Sequence, residues 1–298
     1  MKKVLVIAGP TASGKSDFAV SMAQKLGGEI ISGDSIQVYR GMNIGSGKIR
    51  PEEMGGIPHH LLDIRDINEP YSVSDFQTMA REWIERIDLP IIAGGTGLYL
   101  KACLYDYVFS PEEAPAEEEP WGAYSNEELY TLLQKEDPRS AEKIHPNNRQ
   151  RVMRALSILK RTGRTKSETE AVQNHEPVYD FYIAGCTMKR DVLYERINKR
   201  VEQMFASGLE AEVRNLISQG YTFADPGMKG IGYREFEPYL MGQCSIQDVK
   251  AEIQKHSRNY AKRQYTWLNH QMPVHWFEVN DPKDRKRAEE EILSWREN

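Results

Sequence analysis

Residues 9–16 read Gly9-Pro10-Thr11-Ala12-Ser13-Gly14-Lys15-Ser16, the pattern G-x-x-x-x-G-K-S. The stretch follows a short β-rich apolar run at 3–8. It precedes a segment, 15–26, in which Phe18, Ala19, Met22, Ala23 and Leu26 recur at helical spacing before Gly27-Gly28. A strand, a glycine-rich loop and a helix in that order make a phosphate cradle. The glycines let successive backbone N–H groups face one concavity, and the helix N-terminus adds positive potential. Lys15 adds a charge, and the Ser16 hydroxyl can ligate Mg²⁺. The expectation is a diphosphate or triphosphate bound with Mg²⁺ by all eight residues.

Further along the chain, 29–32 and 90–93 read as strands and 72–87 as a helix with Phe76, Met79, Trp83 and Ile87 inward. Strands alternating with helices predict an α/β fold, a P-loop NTPase-like parallel sheet flanked by helices. After Val108 the texture changes. Residues 110–120 are rich in Pro, Ala and Glu, and 125–166 is helical only; an apolar run at 179–186 then restores the strand signature. The expected organisation is an all-helical domain, 113–177, inserted into a core made of 1–112 and 178–298. Two long helices near 190–219 and 245–270, a short strand at 275–279 and a charged terminal helix complete it.

The chain has 298 residues, 40% hydrophobic and 28% charged, enough to bury a sizeable core. No run approaches about 20 apolar residues, so no membrane span is expected. Cys103, Cys186 and Cys244 are far apart and odd in number, which fits a reducing cytoplasmic setting and no disulfide framework. A monomer is expected. The net charge of −5 would argue against nucleic acid, but the charge is uneven. Residues 143–166 carry eight Lys or Arg and no acid, whereas 112–119 carry five Glu and no base. Local fields, not the sum, steer a polyanion.

A P-loop hydrolase usually carries a second apolar strand ending in Asp. Here the candidate strand runs into Gly94-Gly95-Thr96-Gly97, which weakens the ATP-hydrolysis reading and leaves room for a diphosphate that departs as a unit. Asp34 follows the second strand, and the carboxyl ends of strands border the ligand crevice in open α/β sheets. It can accept a proton from a nucleophile, hold metal-bound water or merely cap a turn with Ser35. Gln37 could read a base edge through its amide or simply be solvated. On helix 147–161, Arg151, Arg154 and Arg161 share one face while Val152, Ala155, Leu156 and Leu159 share another. A second basic stripe is Lys255, Arg258 and Lys262. Arg200 lies among Arg196 and Lys199, where a solvated helix face competes with a functional role. His59-His60 lacks a third ligand nearby and reads as structural.

Eight blocks together resemble the tRNA dimethylallyltransferase family, and they stand in the family's order along nearly the whole chain. They are residues 9–16; Asp34-Ser35-Ile36-Gln37-Val38-Tyr39; Gly41-Met42-Asn43-Ile44-Gly45; and Gly56-Ile57-Pro58-His59-His60-Leu61-Leu62-Asp63. Then come Gly94-Gly95-Thr96-Gly97-Leu98-Tyr99, residues 148–156, Gly230-Ile231-Gly232-Tyr233-Arg234-Glu235, and residues 258–267. The resemblance implies transfer of a dimethylallyl group from dimethylallyl diphosphate to N6 of adenosine 37, in the tRNA anticodon stem-loop. It implies that Asp34 is the general base and that Thr11, Lys15, Ser16 and Arg200 surround the diphosphate. It also implies that Asp34, Ser35, Ile36, Gln37 and Thr96, with Gln150, Arg151, Val152, Met153 and Arg154 of the insertion, touch tRNA. Gly33 and Gly45-Ser46-Gly47-Lys48 depart mildly from the family pattern. The Glu-rich 112–119 stands where relatives commonly carry an arginine, so that contact does not carry over.

Three other readings remain open at the level of sequence. A P-loop small-molecule kinase would use ATP and Asp34 but leaves the basic insertion unexplained. An isopentenyltransferase acting on free adenine nucleotides would not need that face. A non-catalytic RNA-binding module would tolerate Asp34→Asn.

Overall fold

The computed structural model describes residues 1–107, 109, 120–171 and 175–298. They form two compact units, 1–105 with 177–298, and 106–176. The expected cut at 112/113 and the acidic run 112–119 lie outside the described residues.

In the larger unit, six strands form one sheet: β1 (Lys3–Ala8), β2 (Glu29–Ser32), β3 (His59–His60), β4 (Pro90–Gly94), β5 (Asp180–Cys186) and β6 (His275–Phe277). Their order is β3-β2-β4-β1-β5-β6, and every pairing is parallel. The α/β fold is the one expected. Because β1 is buried on both faces, its sequence is a continuous apolar run rather than an alternating one. Helices Val73–Arg86 and Gly97–Leu104 cover one face, burying Phe76, Ile84 and Leu100 against Val4, Val6 and Ile92. Helices Lys15–Leu26 and Pro282–Glu297 cover the other, around Leu5, Ile7 and Ile91.

Local chemistry sets the boundaries. Ser72 and Ser245 each close a capping box at the start of helices Val73–Arg86 and Ile246–Gln271. The expected long helix at 190–219 is two helices, Arg190–Ala206 and Leu209–Ser218. Gly208, at φ 96°, breaks it, because a residue in the left-handed region cannot continue a right-handed helix. The break lets the second helix turn onto its own apolar cluster with Val38, Tyr39, Met42 and Tyr233. His59 and His60, expected in a structural or turn role, form the edge strand β3. His60 stacks on Trp83 with ring centroids 3.7 Å apart and pairs through Nε2 with Glu29 at 2.6 Å. No group of three potential metal-binding side chains occurs among the described residues.

The smaller unit is helical among the described residues: Asn126–Glu136, Pro138–Lys143, Arg149–Thr162 and Lys166–Ala171. Leu129, Leu133, Ile144, Val152, Ala155 and Leu156 form its core. Asn148 caps helix Arg149–Thr162 and Gly163 ends it.

Candidate active site

The strands deliver their carboxyl ends to one rim, and the register fixes what meets there: Ala8 lies beside Gly94, and Ser32 beside Ala93. The phosphate loop leaves β1 at this rim. Gly9 (φ 142°) and Gly14 (φ 93°) adopt conformations that side chains disfavour. A Cβ on Gly9 would lie 2.5 Å from the Cys186 carbonyl, so the loop packs on the end of β5 only because that Cβ is absent. No side chain caps the start of helix Lys15–Leu26, which leaves its first amides to an anion. Lys15 Nζ donates to the Pro10 carbonyl at 2.7 Å. Burial pushes its pKa down to about 8; Arg200 lowers it as well, while Cys186 and Asp34 act in the opposite sense. The Thr11 amide is already used, donating to Gln264 Oε1 at 3.0 Å. Ser13 is fully buried, and its hydroxyl has no hydrogen-bond partner among the described residues.

Asp34 stands just past β2. Its Oδ1 accepts from the amides of Ile36 at 2.8 Å and Gln37 at 3.2 Å. The turn-capping reading therefore holds for one oxygen, and that turn leaves Oδ2 for other chemistry. Gln37 is braced as well: its Oε1 accepts from Ser32 Oγ at 3.3 Å and its Nε2 donates to the Gly47 carbonyl at 3.4 Å. Arg200 reaches the same carbonyl from helix Arg190–Ala206, donating through Nη2 at 3.2 Å. Burial lowers its pKa; Asp34 and then Glu53 oppose the shift.

These groups line one cavity of ≈ 360 Å³, a volume suited to a small organic ligand. Thr11, Lys15 and Ser16, the turn 34–37, Gly45, Ser46, Gly47 and Arg200 all contribute. So do the apolar side chains of Ala19, Ile49, Ile197, Val201, Met204 and Ile253. A second cavity of the same size borders the other side of the phosphate loop and shares Lys15, Ser16 and Arg200. Arg196 and Lys199 line it and are exposed to solvent.

Sequence reasoning missed several contributors. Tyr260, Arg263 and Gln264 arrive from helix Ile246–Gln271, His59 from the sheet edge, and Gly45 to Gly47 from a loop. All but Ser46 and Gly47 belong to the quoted blocks, without a site role attached. Thr96 starts helix Gly97–Leu104 at the end of β4, next to the Tyr260 phenol. Two members of the second basic stripe have partners: Lys255 pairs with Glu252 at 2.9 Å, and Arg258 donates to the neutral Asn198 Oδ1 at 2.5 Å, while Lys262 is exposed. In the smaller unit, Gln150, Arg151 and Arg154 are exposed and Met153 is half-buried. Val152 is 1% exposed and faces that unit's core, so its side chain holds the helix rather than meeting a ligand.

A family model described as IPP transferase matches residues 37–271. The chain belongs to this family. Among IPP transferase relatives, the tRNA dimethylallyltransferase of Anoxybacillus flavithermus is 46% identical over 301 residues, 99% of this chain and 96% of that one. The crystal structure of the full-length tRNA isopentenylpyrophosphate transferase of Bacillus halodurans is 40% identical, with TM-score 0.75, covering 99% of this chain and 97% of that one. A eukaryotic dimethylallyltransferase captured acting on tRNA is 30% identical with TM-score 0.84, covering 99% of this chain and 80% of that one. The chain is thus a prenyl-transferring enzyme by family, with the P-loop NTPase-like sheet of that family. No helix among its described residues is long and apolar enough to cross a membrane.

Proposed function

We propose that this enzyme transfers a dimethylallyl group from dimethylallyl diphosphate to N6 of adenosine 37 in tRNA. The observation that carries the reading is that Asp34, Lys15 and Arg200 line one cavity with apolar side chains between helices. An allylic diphosphate has a charged end and an apolar end, and the lining offers both. The exocyclic nitrogen of adenine is a poor nucleophile because its lone pair is delocalised into the ring. As N6 bonds to allylic C1, the C1–O bond breaks, the electron pair leaves with diphosphate, and the N6 proton passes to Asp34 Oδ2. The carbon tolerates partial positive charge, so stabilising the departing diphosphate matters most. The free amides of the phosphate loop, Lys15 and Arg200 supply that stabilisation; losing one such donor typically costs ~10²–10³ in rate. General-base help contributes roughly 10²–10⁴.

Mg²⁺ fits this donor set through the exposed Ser16 hydroxyl, a hard oxygen on the cavity wall. No acidic cluster accompanies it among the described residues, so phosphate oxygens and water would complete the shell. When bound, the ion would neutralise charge on the leaving group.

The target base must be extruded from the anticodon arm, costing a few kcal/mol, which phosphate contacts offset. Gln150, Arg151 and Arg154 are exposed on the second unit and would make such contacts. The enzyme works on tRNA as a monomer in the cytoplasm under this proposal. The kinase and free-nucleotide readings are not favoured, because full-length relatives carry the tRNA-modifying name. The test is incubation of the protein with dimethylallyl diphosphate, Mg²⁺ and unmodified tRNA. A mass gain of one prenyl group on adenosine 37 is expected; phosphate transfer from ATP without tRNA would refute the reading.

A further inference from the structure

Arg200 and Gln37 take their positions from one acceptor, the Gly47 carbonyl, so whatever fixes Gly47 fixes both. Residues 43–48 form a tight strap, with Gly47 N donating to Ile44 O and Lys48 N to Asn43 O, each at 3.0 Å. The strap is held from outside the cavity by two residues with no place in the chemistry proposed above. Glu212, on helix Leu209–Ser218, accepts from the amides of Asn43 (3.0 Å), Ile44 (2.8 Å) and Gly45 (3.1 Å). The Tyr233 hydroxyl donates to Glu212 Oε1 at 2.7 Å and accepts from Ser46 N at 3.1 Å. Four consecutive amides thus end on a single carboxylate–phenol pair.

The packing is as close as the bonding. A Cβ on Gly45 would lie 2.5 Å from Tyr233 Cζ, and a Cβ on Gly232 would lie 2.9 Å from the Gly45 carbonyl. Backbone therefore meets ring and backbone meets backbone, leaving the strap little freedom to slide. Tyr233 is fully buried, and burial, with Glu212 beside it, raises its pKa far above the usual range, so the phenol stays a donor.

We propose that Glu212 and Tyr233 are a positioning pair that sets the Arg200 guanidinium against the diphosphate through the strap. The inference rests on the role given to Arg200 above. Removing the phenol oxygen frees Ser46 N and leaves Glu212 Oε1 with the Gly45 amide alone, and the slack reaches Gly47 one residue on. Small misplacements of a charge-stabilising group are costly, so a loss of ~10-fold in the transfer step is expected for Tyr233→Phe.

The test is single-turnover transfer to unmodified tRNA by the full-length enzyme in four forms: unaltered, Tyr233→Phe, Arg200→Ala and the double variant. Glu212→Gln serves as a second route should Tyr233→Phe fold poorly. If the pair acts through Arg200, either change slows the unaltered enzyme ~10-fold but slows the Arg200→Ala enzyme less than ~2-fold. Exchange of the Ser46 amide rises in Tyr233→Phe. Equal losses in both backgrounds would mean general structural damage and would overturn the inference. Full activity of Tyr233→Phe and Glu212→Gln beside a slow Arg200→Ala would overturn it too, leaving the Arg200 assignment intact. Full activity of Arg200→Ala would overturn that assignment and this inference with it.

Discussion

Lys15 gives the site a pH dependence that can be worked out in advance. Its ammonium is pushed down to about 8 by burial, with Arg200 adding to the shift. A bound diphosphate places negative charge beside Nζ and raises the pKa back toward the ordinary lysine value of 10.5. The sign follows: the free pKa is below the bound one, so binding takes up a proton between the two. Affinity is complete below about 8, falls as pH rises through it, and levels off beyond the bound-state pKa. From one unit below to one unit above the free pKa, the protonated fraction drops from ~0.9 to ~0.1, a ~10-fold loss of affinity or ~1.4 kcal/mol. Isothermal titration of an unreactive allylic diphosphate, in two buffers of different ionisation enthalpy, counts the protons directly. Uptake should approach one per site at the alkaline end, and Lys15→Ala should show only the ligand's own ionisation. Flat affinity with no lysine-dependent uptake would refute the claim that a buried, half-neutralised ammonium meets the diphosphate.

Asp34→Asn keeps an oxygen for the Ile36 and Gln37 amides but cannot take the proton. Single-turnover transfer should fall ~10²–10⁴ with diphosphate affinity and melting temperature unchanged, whereas Asp34→Ala should also lose stability. Retained chemistry in Asp34→Asn would remove the base from Asp34. Replacing Arg151 and Arg154 with Ala should lower the slope of log affinity for tRNA against log salt by ~1.4–1.8. An unchanged slope, measured by filter binding, would discard that contact.

The features that could be read from the chain were the local ones. The phosphate loop is a contiguous signal in which glycine, lysine and serine spacing carry the chemistry, and β1 and the helix after it confirm the context. Asp34 was legible because strand ends face the crevice, and helix Arg149–Thr162 because its apolar and basic residues separate by face. The harder features depend on distance along the chain. Gln264 reaches Thr11 across 253 positions, and Glu212 reaches the strap across nearly 170; no periodicity encodes either. The partners of the second basic stripe were hidden for the complementary reason. Spacing showed three cations on one face, but not that Glu252 and Asn198 would stand in front of two of them. Val152 sits inside the block implied to touch tRNA yet points to its own core, since a helix cannot turn consecutive side chains to one side.

The Thr11–Gln264 hydrogen bond also bears on how the enzyme is born. The phosphate loop is made before its partner, which sits on a helix that emerges 253 residues later, on the order of tens of seconds at ordinary synthesis speeds. Until then the cradle lacks one wall, and β6 is missing from the edge of the sheet. A nascent chain surrounded by translating tRNA thus has no finished catalytic pocket to offer it, and competence waits for the helix that carries Gln264.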